Sequence, residues 1–121
     1  MKKTIALTIV AGLVLAGVSA VNADKKSSQK ESAKLLRHVV LFQFKKETSK
    51  AKVKEITSTF AALPGKIDAI EDFEWGTDVS VENKAAGFTH GFLVTFRNAK
   101  GREEYLPHPA HQEFVKLVGP H

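Results

Sequence analysis

Apolar residues over positions 36–121 follow two periodicities, and the switches between them outline a series of elements. In "RHVVLFQFKK" (37–46) they alternate, placing His38, Val40, Phe42 and Phe44 on one side and Val39, Leu41 and Gln43 on the other. β-Branched and aromatic residues dominate, so the stretch predicts a strand. Both of its sides are largely apolar, which predicts a central strand covered on both faces. Val53, Ile56, Phe60 and Leu63 then recur at helical spacing, in a helix that Thr48 or Ser49 caps and Pro64-Gly65 ends. "IEDFEWGTDVS" (70–80) predicts a second strand with Trp75 in the core and a break at Gly76. After a loop, "VENKAAGF" (81–88), "THGFLVTFR" (89–97) predicts a third strand with His90, Phe92, Val94 and Phe96 on one side. Asn98 caps a short helix over 99–106, which Pro107 stops. Pro109 opens a last helix carrying His111, Phe114, Val115 and Val118.

The order β-α-β-β-α is that of an α+β protein, a ferredoxin-like split βαβ sheet with its helices on one face. That pattern calls for a fourth strand beside the first, after the last helix. The sequence reaches His121 without one, so the expectation is that the chain belongs to a longer gene product, rearranges, or pairs this edge with a partner.

The N-terminal third has a different character. Met1-Lys2-Lys3, the uncharged run "TIALTIVAGLVLAGV" (4–18) and small residues at Ser19, Ala20 and Ala23 have the layout of a secretory signal peptide. Residues 1–23 are therefore expected to be removed on export to the periplasm or medium, with cleavage after Ala20 or Ala23. Contact with a membrane is expected only through this segment before cleavage. Residues 24–35 read as a flexible polar spacer, and 36–121 as the folded domain. The chain has no cysteine, which excludes disulfides, thiolate metal sites and bacterial-type lipid attachment. Its formal charge of +5 belongs mainly to the first segments, because residues 35–121 hold 12 Lys and Arg against 11 Asp and Glu. A domain this close to neutral offers no basic stripe for a phosphate backbone, so nucleic acid is not an expected partner.

Candidate chemistry gathers in "EEYLPHPAHQEF" (103–114), which holds the only tyrosine and two of the five histidines. His38 and His90 begin the inward faces of two neighbouring strands and are expected at one end of the sheet. Tyr105, His108 and His111 should reach the same layer. With Val40, Phe42, Phe92, Val94 and Phe114 they would form an apolar pocket with a few convergent polar groups. Each residue also has a plainer role available: His38 and His90 as satisfied core histidines, His108 as a helix cap, Tyr105 as a packed ring with a wet hydroxyl. His111 is the strongest candidate for proton transfer, since imidazole titrates near neutrality. A zinc site from His38, His108 and His111 is conceivable. The chain lacks an H-E-x-x-H pair, however, and neither a metal nor a cofactor is assigned. No nucleophile elbow, phosphate loop or dinucleotide fingerprint is present.

Four blocks, "RHVVLFQFK", "FEWGTDVS", "GFTHGFLVTF" and "YLPHPAHQEFV", resemble in order and spacing the stress-responsive A/B barrel (Dabb) family. The resemblance covers about residues 36–119. It implies a dimeric α+β barrel in which two ferredoxin-like sheets join with their helices outside. The family includes plant stress proteins and a plant polyketide cyclase whose tyrosine and "HPAH" histidine act as a dyad. By that resemblance Tyr105 would hold a substrate carbonyl and His111 would be the base, with His38 and His90 at the end of the pocket. The function expected first is an exported homodimer that binds a small apolar or aromatic molecule. The alternatives are a polyketide-cyclase-like lyase using the Tyr/His dyad and a monooxygenase of similar fold.

Overall fold

A computed structural model describes residues 34–121; the expected signal segment, and all of the expected spacer before Lys34, lie outside the described residues. Seven elements follow one another: β1 (Leu36–Phe42), α1 (Lys50–Ala61), a 3-10 turn (Leu63–Gly65), β2 (Ile70–Thr77), β3 (His90–Phe96), α2 (Ala99–Tyr105) and α3 (Pro109–Val118). The sheet is antiparallel in the order β1-β3-β2, so the hairpin strand β3 lies between the two strands joined through α1. This is the expected split βαβ, ferredoxin-like α+β arrangement, with three strands among the described residues.

Local chemistry sets the helix ends. Ser49 accepts a hydrogen bond from the Lys52 amide at 3.1 Å and begins α1. Asn98 does the same for α2 through the Gly101 amide at 3.3 Å. One face of the sheet carries Val40, Phe42, Phe92, Val94 and Phe96, and the helices pack on it. Ile56, Phe60 and Leu63 from α1 and its turn meet Phe114 from α3 there, all buried. Phe60 is the hub: its ring centroid lies 4.4 Å from Phe114, 4.6 Å from Phe92 and 5.1 Å from Phe73. Such offset and tilted pairs add to the area term of burial.

Three local expectations change. β2 runs through Gly76 instead of breaking there, because Gly76 pairs directly with Gly91 of β3. Trp75 is 47 % exposed. It sits on the outer strand, stacked on Phe92 at 5.8 Å, with solvent beyond it. β1 is an edge strand, and its second face is bare: Val39 is 63 % and Leu41 53 % exposed. All the helices lie on the opposite face, so nothing in the described domain covers these two side chains.

Candidate functional site

The turn between α2 and α3 builds the site. Tyr105 closes α2 and is fully buried, its ring 5.1 Å from Phe96 and 6.2 Å from His38. His111, in the first turn of α3, brings its ring to 4.1 Å from that of Tyr105. The Leu106 carbonyl binds His111 Nδ1 at 2.9 Å and accepts from the Gln112 side-chain amide at 2.6 Å. A carbonyl only accepts, so this bond makes Nδ1 the protonated nitrogen of His111. In neutral His111 the lone pair then lies on Nε2, in a ring 4.1 Å from that of Tyr105.

Electrostatics separate the roles. Burial pushes the Tyr105 hydroxyl up to about 12, so it stays a proton donor throughout the neutral range. Burial lowers the His38 pKa, and the nearby Arg102 and His111 lower it further. Arg102 is the residue that sequence reasoning missed. It lies three positions before Tyr105, one helical turn back on the same face, and that spacing was the available signal. Tyr105 supplies an O–H donor and Arg102 a positive charge near His38, a setting suited to a carbonyl, phenolate or carboxylate oxygen.

The other expected site residues fall elsewhere. His90 does not join the cluster, because β3 runs antiparallel to β1 and their first residues lie at opposite ends of the sheet. His90 is the register partner of Phe42, whereas His38 faces Val94. Four residues of strand separate them, roughly 13 Å. His90 packs instead against Phe44 at 5.2 Å and Trp75 at 6.4 Å, and its Nδ1 bonds Thr89 Oγ1 at 2.8 Å. His108 takes its plainer role: its Nδ1 accepts from the Ala110 amide at 3.2 Å and caps α3. Phe92, Val94 and Phe114 are buried in the aromatic core, and Val40 and Phe42 pack on it. They fill space between sheet and helices that a pocket would need to leave open. Two concavities, of about 560 and 330 Å³, lie on the domain, and neither is lined by Tyr105, His111 or His38.

His38 and His90 both bind a proton less readily in the folded chain than the ordinary value of 6.5, His90 through burial alone. The unfolded chain then takes up more protons below that value, so acid favours unfolding. Stability is expected to be full above about pH 6.5 and to decline as pH falls below it. Urea titrations across pH 5–8 check this, with His38→Asn flattening part of the slope. An unchanged slope in that variant would contradict the burial argument.

A ferredoxin-like α+β sheet with a Tyr/His cluster at the α2–α3 turn defines the class. The stress responsive A/B barrel domain model matches residues 36–121, and the chain belongs to that family. It is 40 % identical over 82 residues to the stress-response A/B barrel domain-containing protein HS1 of Arabidopsis thaliana, covering 68 % of this chain and 75 % of that one. It is 37 % identical over 79 residues to olivetolic acid cyclase of Cannabis sativa, covering 65 % and 78 %. Among solved structures, the hydroxynitrile lyase of Passiflora edulis superposes with a TM-score of 0.69 at 28 % identity, over 73 % of this chain and 83 % of that one. A dimeric ferredoxin-like protein of unknown function from Jannaschia sp. does so at 0.61 and 24 %, over 69 % and 82 %.

Proposed function

We propose that this chain is an exported, homodimeric A/B barrel protein that binds a small aromatic molecule bearing an acidic or carbonyl oxygen at the Tyr105–His111–His38 cluster, against the half-buried His38 and His111 rather than in either concavity. The observation that carries the reading is the 4.1 Å approach of the His111 ring to a buried Tyr105 whose hydroxyl remains protonated. The signal-like residues 1–23 support export. The bare apolar face of β1 supports a second copy as its cover, with Val39, Leu41 and Leu93 exposed or half-exposed side by side on it.

Salicylate, which offers a carboxylate and a phenol together, is the test ligand. It should raise the melting temperature of the mature protein by mass action. Tyr105→Phe and His111→Ala should each weaken binding about two- to tenfold, the value of one lost hydrogen bond. Wild-type affinity in both variants would refute the site.

A second reading, proton transfer of the lyase or cyclase type, rests on the tautomer of His111. With Nδ1–H held by Leu106, Nε2 is the nitrogen left to act as base, in a ring 4.1 Å from that of Tyr105. In such a reaction His111 would take a proton from carbon or oxygen while Tyr105 steadied the developing oxyanion. The similarity to a cyclase and a hydroxynitrile lyase points in the same direction.

A further inference from the structure

The Leu106 carbonyl closes α2, and the last carbonyls of a helix have no intrahelical amide to bind. The chain just beyond it is poor in donors. Pro107 and Pro109 carry no N–H. The amides of His108, Ala110 and Gln112 go to Tyr105 O, His108 Nδ1 and His108 O, at 3.1, 3.2 and 3.0 Å. Two side chains of α3 meet the Leu106 carbonyl: His111 Nδ1 at 2.9 Å and Gln112 Nε2 at 2.6 Å. A carbonyl oxygen has two lone pairs, and these two donors take both.

The stretch "HPAH" (108–111) thereby holds its two histidines in opposite tautomers. His108 Nδ1 accepts from an amide, so neutral His108 carries its proton on Nε2. His111 Nδ1 donates, so neutral His111 carries its proton there. The rings lie three residues apart at the start of one helix, and they differ in the partner each Nδ1 meets. Leu106 is 42 % exposed, so water competes for its carbonyl. Gln112 occupies one of the two lone pairs, and its own backbone is fixed in the first turn by the bond to His108 O. The carbonyl is thus tied to α3, on the side where His111 stands.

We propose that Gln112 is a positioning residue for His111: its donation to the Leu106 carbonyl holds that oxygen against Nδ1 and so keeps Nε2 bare. The inference rests on the reading of His111 as the group that takes up a proton. Gln112 acts through the carbonyl. Without it, the oxygen turns toward water more often, and His111 is free to carry its proton on Nε2, where it is no base.

Nitrogen-15 spectra of the imidazole rings test this on the mature protein at about pH 8, where histidine is ordinarily neutral. Protonated and bare ring nitrogens resonate far apart, so each tautomer is read directly. Wild-type His111 should show a protonated Nδ1 and a bare Nε2, and His108 the reverse. Gln112→Met keeps the side chain's length without its donor, at an exposed position where folding tolerates the change. In that variant the ratio of the Nε2–H to the Nδ1–H form of His111 should rise about two- to fivefold. That is less than the largest value of a hydrogen bond, because the His111–Leu106 bond itself stays available. His108 should keep its wild-type pattern. An unchanged His111 in Gln112→Met, or a wild-type His111 with its proton on Nε2, would overturn the proposal. So would His108 and His111 changing together, which would give Gln112 only a part in folding the turn. The spectra are taken without ligand, so their outcome is independent of whether salicylate binds.

Discussion

Phe60→Ala is expected to lower the stability of this domain by about 3–5 kcal/mol, the usual cost of truncating a buried aromatic. Phe60 is 1 % exposed and its ring neighbours those of Phe42, Phe73, Phe92 and Phe114, so its loss leaves a cavity between α1, α3 and all three strands. None of these neighbours can close the gap without leaving another partner, because each also packs on the rest of the core. For a domain of this size the change corresponds to a melting temperature lower by roughly 12–40 °C. Set against a total of about 5–15 kcal/mol, it brings the fold near its limit. Thermal unfolding measures the effect, with Val79→Ala, at an 88 % exposed position, as the reference. Equal melting temperatures for the two variants would show that the aromatic hub does not hold the helices to the sheet.

Val39→Glu is expected to break the proposed homodimer while sparing the protomer. Val39 lies on the bare face of β1, opposite Leu93 in register, and is 63 % exposed, so a charge there costs the isolated fold within about 0.5 kcal/mol. If a second copy covers this face, the same carboxylate is buried in each protomer without a partner, at about 3–5 kcal/mol. The dissociation constant should then rise on the order of a hundredfold or more. Sedimentation of the mature protein and the variant at matched concentration reads the difference. A dimer that persists in Val39→Glu at wild-type strength would place the interface elsewhere.

The contrast between these two positions shows how far the sequence could be read. The Val53–Ile56–Phe60–Leu63 stripe named the buried face of α1, because helical spacing alone decides which residues share a side. Ser49, Asn98 and His108 were legible as caps from residue type and position. Tyr105, His108 and His111 were legible as a group near one layer, and the resemblance to the family singled out Tyr105 with His111. β1 was misread as covered on both faces. Apolar alternation on two sides does reveal a demand for cover, but not whether the same chain meets it.

By itself, then, the order of apolar and polar residues determined the elements, their caps and the split βαβ class, because those depend on contacts within about a turn of helix or along one strand. Tertiary structure decided the rest. Inserting β3 antiparallel between β1 and β2 sent His90 to the far end of the sheet from His38, a reversal that no property of either residue encodes. Packing density turned Phe92, Val94 and Phe114 from expected pocket walls into core. Register alone brought Gly76 opposite Gly91 and opened a hollow where each glycine, read along its own strand, marks only a weak point. Pairing across strands joins residues distant in the chain, and side-chain chemistry acts only at the places that this pairing creates.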